Sequence, residues 1–438
     1  MRRSSLLAAL AAIALAGSSC GRSADPIRIG VLVDCTGIIA ASHDPALAAA
    51  ELPLLQRGGR LRGHGPNSGV TGATIAGRPV ELVQGCTESG VYSRLIAETE
   101  RLIDTDHVDV IVGATGWGDG IIMRELAHRH PTIPFVVAAS WAGEVTLHDP
   151  AANLYRFVPS VEQAQAGLAT YAYRTLGWRR AATVAEDEPN GWGASAAFAA
   201  EFCSLGGTVK PVWTPAFLGS AALVRKLPQP IDGVVVTEDY GLSNPAGFLR
   251  EYVATHPDAR RRLLLSMWMY GPGDLRDMRA VWPRLKGVTA AFSGVPDPES
   301  PGMTAYLRAY RHWFPGLPLS GATNSDVAPY RDAIAGVLSA IAAVHGRFGT
   351  DHAALRSALA RVRVGTTAGP VRIGPGHQAV AAIPLVRIDG DAHGEPRFHL
   401  VRTTPGVDQT VGGLFGPDDA PSRTASRCAG QAPPPWAG

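Results

Sequence analysis

The chain has 438 residues, 46% of them apolar and 18% charged, a core-forming composition and not that of a disordered chain. The 40 Lys and Arg nearly cancel the 38 Asp and Glu, for a formal charge of +2. That excludes the basic surplus of a nucleic-acid binder and the acidic surplus of a solvating tail. Beyond the N-terminus no apolar run approaches the ~20 residues of a membrane span.

Met1-Arg2-Arg3 is a positive start, Leu6 to Ala16 an apolar stretch too short to span a bilayer, and Gly17-Ser18-Ser19-Cys20 a small-residue end. Residues 1–20 therefore read as a secretory signal peptide and stand outside the fold. The segment also resembles a lipoprotein signal, in which the Cys becomes the lipidated first residue. Gly17 departs from that pattern, which prefers Leu there. Lipidated Cys20 would hold the protein on the outer face of a cell membrane. Cleavage after Ala14-Leu15-Ala16 is the competing reading and gives a free periplasmic or secreted protein.

Ile27 to Val33 reads as a buried strand and Pro45 to Leu55 as a helix, followed by a Gly-rich stretch from Arg57 to Gly77. Strands at Val80–Gln84, Val108–Val112 and Ile133–Ala138 then alternate with helices at Val91–Ile103 and Ile121–His130. Near-continuous apolar strands between helices indicate a parallel sheet buried on both faces, with right-handed crossovers. Leu154 to Val158 connects to a second alternating series. Its helices fall at Glu162–Leu176, Gly193–Leu205, Ala221–Leu227 and Pro245–Thr255. Its strands fall at Ala181–Ala185, Thr208–Trp213, Ile231–Thr237, Arg262–Met267 and Gly287–Phe292. Helices at Pro301–Trp313, Val327–His345 and Ala353–Arg361 follow, then strands near Pro370–Ile373 and Ala381–Ile388. The fold class is α/β, with two doubly wound units in series. From Thr403 onward Pro, Gly, Ser and Asp dominate, and residues 403–438 read as a disordered tail.

Secretion permits disulfides. With Cys20 set aside, Cys35, Cys86, Cys203 and Cys428 allow three pairings. Cys35 and Cys86 each lie two residues past a strand. If those strands are parallel neighbours, both sulfurs stand at one height and within bridging range. Closing that loop is worth about 4 kcal/mol in the chain-entropy model. Cys203 reads as a small apolar residue on a helix, and Cys428 lies in the tail.

Several passages carry a likeness in the right order. They are Ile27-Arg28-Ile29-Gly30-Val31-Leu32, Ala76-Gly77-Arg78-Pro79-Val80-Glu81-Leu82-Val83, Leu102 to Gly113, Ile133 to Ser140, Tyr330-Arg331-Asp332-Ala333-Ile334 and Gly369-Pro370-Val371-Arg372-Ile373. Together they resemble type I periplasmic binding proteins, nearest the branched-chain amino-acid and amide binding branch of ABC importers. The resemblance spans roughly residues 27–400. It implies two Rossmann-like lobes joined by a three-crossover hinge, with a ligand in the cleft between them. Lobe 1 would comprise residues 27–155 and about 320–362, and lobe 2 residues 156–319 and about 363–400. The implied partners are a small-molecule ligand and an ABC permease in the membrane, and the implied state is a monomer without cofactor.

Candidate contacts follow strand ends, where open α/β sheets bind ligands. Gly113 to Gly120 offers backbone N–H groups, the Thr115 hydroxyl and Trp117, either as a binding turn or as a plain strand-to-helix turn. Ser140 and Trp141 follow the fourth strand, where the family holds a ligand carboxylate; Trp141 stands at the usual hydroxyl position, and Ser140 could equally cap a turn. Asn190 and Trp192 occupy the segment in which the family closes a Tyr over the ligand, with turn geometry and helix packing as the alternatives. Glu238, Asp239 and Tyr240 lie where the family meets a ligand ammonium, and would otherwise be a solvated turn. Trp268 and Tyr270 read as hinge or cleft wall.

No G-x-S-x-G, H-E-x-x-H, C-x-x-C or Walker pattern occurs, so neither a hydrolase nor a metal enzyme has a visible scaffold. His43-Asp44 and His148-Asp149 read as turn chemistry beside prolines, not as a metal pair. The expected role is capture and delivery of a small polar, amino-acid- or amide-like ligand, without chemistry. The rivals are a ligand-sensing receptor subunit of the same fold and a secreted α/β lipoprotein hydrolase.

Overall fold

The structure is a computed structural model. It describes residues 25–215, 220–237, 245–266, 275, 278–291, 300–419, 423, 428 and 430–438, without the side chain of Trp117. Cys20 lies outside the described residues.

The first series contains β1 (Ile27–Asp34), a ribbon of β2 (Arg60–Leu61) and β3 (Val70–Thr71), β4 (Thr74–Ile75), β5 (Arg78–Thr87), β6 (Val110–Thr115), β7 (Phe135–Ala139) and β8 (Leu154–Arg156). The main sheet has the order β4-β5-β1-β6-β7-β8. From β5 to β8 it is parallel, and β4 folds back on β5 as an antiparallel edge. Strand β1 is central and buried along nearly its whole length, because helices cover both faces. Helices His43–Leu55 and Ala328–Ala343 pack on one face, with Leu47, Leu54, Ile334 and Val337 against Val31 and Val112. Helices Tyr92–Asp104 and Trp117–Arg129 pack on the other, through Leu95, Leu102, Met123 and Leu126. Helix Tyr92–Asp104 buries Leu95, Thr99 and Leu102, the i, i+4, i+7 stripe of an amphipathic helix.

The second series contains β9 (Arg180–Glu186), β10 (Thr208–Thr214), β11 (Gly233–Val236), β12 (Leu263–Ser266), β13 (Thr289–Ala291), β14 (Arg363–Thr366), β15 (Gly369–Ile373), β16 (Ala379–Gly390) and β17 (Pro396–Val407). Their order is β10-β9-β11-β12-β13-β16-β15-β14, with β17 on β16. The first five are parallel, and β16 closes the sheet antiparallel to β13. Two doubly wound α/β lobes result.

The chain departs from the sequence expectations in four places. Helix Pro301–Trp313 was expected in lobe 2, yet Met303, Tyr306 and Tyr310 join the core that contains β1. Val364, Val371 and Ile373 pack into the same core, although β14 and β15 are hydrogen-bonded to the second sheet through β16. The expected helix Glu162–Leu176 is broken into Gln163–Gln165, Leu168–Thr170 and Tyr171–Thr175. Its cause is the buried Glu201 carboxylate, which accepts from the Gly167 and Thr170 N–H groups at 2.9 and 2.8 Å and from the Thr170 hydroxyl at 2.6 Å. Those bonds favour Gly167 at φ +87°, a conformation that interrupts a helix.

The fourth departure is the tail. Residues 403–407 continue β17, and Val407, Val411, Leu414, Phe415 and Ala437 are buried. Cys428 is disulfide-bonded to Cys203 on helix Pro189–Ser204. Cys35 and Cys86 form a second disulfide with Cα atoms 5.4 Å apart. The parallel register of β1 and β5, which pairs Val33 with Cys86, brings those two together.

Candidate functional site

The carboxyl ends of β1, β5, β6 and β7 converge on one edge of the first sheet. Val31 pairs with Val112, so Asp34 and Thr115, each three residues further on, reach the same height. Asp34 also pairs directly with Thr87.

Thr115 ends β6 and is buried. Its hydroxyl lies 3.0 Å from the phenol oxygen of Tyr330. That phenol donates to the Leu32 carbonyl at 2.7 Å. A carbonyl can only accept, so the Tyr330 proton is spent on Leu32 and the Thr115 proton goes to Tyr330. What Thr115 retains is acceptor capacity. Thr87 behaves alike, donating its hydroxyl proton to Asp34 Oδ1 at 2.7 Å. Asp34 is buried, and among the described residues its Oδ2 has no well-formed hydrogen bond, though the Ser89 backbone N–H stands by the carboxyl. Burial pushes its carboxyl above the usual range, against the bond from Thr87.

Asp119 stands in the first turn of helix Trp117–Arg129 and is buried. It accepts from the Gly90 N–H at 3.3 Å. Burial, reinforced by the nearby Asp34 charge, pushes its carboxyl up to about 7. Gly116, before this helix, has φ +100°, and a side chain there would strike the Ser89 hydroxyl. Trp117 opens the helix, but its side chain is outside the described set.

Ser140 and Trp141 follow β7 and are fully buried. The fully buried Arg156 positions their turn. It donates to the Ser140 and Ala142 carbonyls at 3.0 and 2.7 Å and to Gln378 Oε1 at 2.6 Å. Burial pushes its guanidinium down to about 10, opposed by the charge of Glu162. Gln378 in turn donates to the Val158 carbonyl at 2.7 Å and to Gln163 Oε1 at 2.8 Å. This polar network ties the first crossing between the lobes to the segment preceding β16. Trp141 packs with Val158, Val161 and Ala194, and its carbonyl accepts from the Val161 N–H at 2.8 Å. Its ring therefore sits where the crossing meets helix Pro189–Ser204.

On the second lobe Glu188 caps that helix, its carboxylate accepting from the Asn190 and Gly191 N–H groups at 3.0 and 2.7 Å. Asn190 is buried, and among the described residues its Oδ1 has no partner. Trp192 donates its indole N–H to Asp187 at 2.9 Å, and Asp187 also pairs with Arg423 at 3.1 Å. Glu238, Asp239, Tyr240, Trp268 and Tyr270 lie outside the described residues.

Sequence reasoning singled out Thr115 and Ser140 but missed Asp34, Thr87, Asp119 and Tyr330 as members of one edge. For Asp34 and Thr87 the available signal was a polar residue at the end of a buried strand; Asp119 and Tyr330 stand on helices, where that signal does not reach. Among the described residues one cluster has metal-ligand spacing, Cys35, His43 and Cys86. Its two sulfurs are joined in a disulfide and offer no thiolate.

The family model for periplasmic binding proteins matches residues 26–394. The chain belongs to that family. Its members bind solutes outside the cytoplasm for ABC transporters. Among solved structures, an ABC transporter substrate-binding protein from Sphaerobacter thermophilus is 24% identical with a TM-score of 0.71, covering 88% of this chain and 99% of that one. A solute-binding protein from Rhodopseudomonas palustris in complex with 4-hydroxybenzoate is 19% identical with a TM-score of 0.71, covering 89% and 100%. A leucine binding protein from Thermotoga maritima is 19% identical with a TM-score of 0.66, covering 86% and 99%. No curated protein matches the sequence. Among the described residues no helix is long and apolar enough to cross a membrane.

Proposed function

We propose that this periplasmic binding protein captures a small polar ligand, amino-acid- or amide-like, between its lobes and delivers it to an ABC permease. The supporting observation is the direction of the hydroxyl protons at the first sheet's edge. Thr115 and Thr87 give theirs inward, to Tyr330 and Asp34. The edge therefore presents the Thr115 oxygen as an acceptor, and Asp34 Oδ2 and the Asp119 carboxyl as acceptors when ionised. An ammonium or amide N–H satisfies them, whereas a bare carboxylate meets groups of its own kind. Glu238, Asp239 or Tyr240 would complete the ammonium side from the second lobe, with Asn190 and Trp192 at its entrance. Ligand held by both lobes favours the closed state by differential affinity. In this reading the protein works as a monomer, performs no chemistry, and hangs from the membrane by lipidated Cys20.

A thermal-shift screen of residues 21–438 at millimolar ligand tests the reading against amino acids, their amides, and benzoic acids. Native-state binding adds about 2.7 kcal/mol at a hundred times Kd. A shift with amines or amides that is lost in Asp34→Asn supports it. A shift confined to carboxylic acids lacking an N–H would overturn the ligand class.

A further inference from the structure

A second pocket lies away from the cleft, on the helix-covered face of the first sheet. Its volume is about 270 Å³. Helix His43–Leu55 and strands β1 and β5 form its floor and wall, and the β2–β3 ribbon with residues 66–69 borders it. Val31, Leu47, Val70 and Leu82 supply its apolar lining.

Glu51 also lines this pocket. It is 2% exposed, and among the described residues its Oε2 has no hydrogen-bond partner. Every other residue of its helix from Pro45 to Leu55 is buried and apolar. An acid at that position costs stability unless something satisfies it. Nothing in the cleft chemistry uses it. Glu81 borders the pocket through the β5 backbone only; its side chain alternates to the other face of the sheet, where it lies 3.7 Å from Arg28. The pocket's cation, Arg62, sits on the ribbon and is exposed to solvent. One buried acceptor beside Leu47, Val70 and Leu82, with Asn67, Ser68 and Gln84 at the margin, matches a short carbon chain carrying a positive end.

We propose that this pocket is a second ligand site, which takes a small alkylammonium ion with its charged end on Glu51. The stem lies along Leu47, Val70 and Leu82. Without ligand, burial holds the Glu51 carboxyl up to about 8, so it is mostly protonated at neutral pH. Pairing with an ammonium favours the carboxylate, and binding should expel that proton.

The test is calorimetric titration of the full chain with n-butylammonium chloride at pH 7, in buffers of different ionisation enthalpy. Expected is saturable millimolar binding that releases nearly one proton per ligand, with n-butanol at least tenfold weaker. Glu51→Gln should weaken binding at least tenfold and abolish the proton release. Ser68→Phe, which fills the pocket without touching the acid, should weaken it comparably in a chain with unchanged circular dichroism. Thr115→Val should leave this binding in place, which separates the site from the cleft and from any failure of the cleft reading. Absence of binding, or binding with an unchanged Kd in Glu51→Gln, would overturn the proposal.

Discussion

The Thr115 hydroxyl and the Tyr330 phenol, 215 residues apart in sequence, lie 3.0 Å apart, and the phenol passes its own proton to Leu32. Helix Ala328–Ala343 thus sets the polarity of the β6 end. In Tyr330→Phe, Thr115 regains a free proton and the Leu32 carbonyl loses its partner. The expected cost is about 1–3 kcal/mol, read from the urea midpoint. Affinity should move toward carboxylate ligands relative to their amides. An unchanged ratio would mean that this hydroxyl does not face the ligand.

Arg156 gives a sharper loss. Its guanidinium satisfies two carbonyls of the 140–142 turn and the Gln378 amide in a fully buried position. Arg156→Leu leaves those acceptors unpaired and removes the positive charge beside Glu162, which keeps its bonds from Ser160 and backbone N–H groups. The expected destabilisation is about 3–5 kcal/mol. Gln378→Leu should cost less, because Arg156 keeps its carbonyl partners. Denaturant midpoints of both variants check the order, and a milder effect of Arg156→Leu would contradict it.

How much of this was legible depended on where the determining partner lies. Strand β1 was plain, because a strand buried on both faces must be apolar throughout. The Cys35–Cys86 contact follows from adjacent parallel strands of similar length. The tail was not legible. Its Pro- and Gly-rich composition indicates no core of its own, and it needs none: Val411, Leu414 and Phe415 join a core that the rest of the chain already supplies. Cys428 finds a cysteine 225 residues away, and Arg174 holds the Ala437 carbonyl at 2.8 Å. The break at Gly167 was equally hidden, since the carboxylate that fixes it belongs to Glu201 on another helix. At the site, hydroxyls at strand ends could be named from sequence. The direction of their protons could not, because Tyr330 and Leu32 decide it from distant positions.

The two disulfides should differ in what they stabilise. Cys35–Cys86 closes a separation of 51 residues and Cys203–Cys428 one of 225. Loop entropy assigns them about 4 and 5 kcal/mol. The first is local to one sheet edge beside Asp34 and Thr87, so replacing both of its cysteines by Ser should lower ligand affinity as well as stability. The second straps the tail to helix Pro189–Ser204. Its double Ser variant should instead raise proteolysis of residues 416–438 while the rest of the chain stays intact. Limited proteolysis with mass spectrometry distinguishes the outcomes, and early cleavage elsewhere would refute the strap.

Asp119 should make ligand binding and stability sensitive to pH. Its carboxyl is raised from 3.8 to about 7 by burial, with the Asp34 charge adding to the shift and the Gly90 N–H and Ser89 opposing it. A raised acid favours its protonated form in the folded state. Its stabilising share is therefore complete below about pH 4, declines as pH rises toward 7, and is gone above that. Asp119→Asn should match the wild type near pH 4 and exceed it at pH 8, by up to about 4 kcal/mol at 1.36 kcal/mol per unit. Asp34, raised in the same direction, should add to the slope. Binding of an ammonium ligand runs the other way, since the ionised carboxyl attracts it. Its affinity should rise between pH 6 and 8 in the wild type and stay flat in Asp119→Asn. Urea melts and titrations at three pH values measure both slopes. A pH-independent affinity in the wild type would remove Asp119 from the ligand's surroundings.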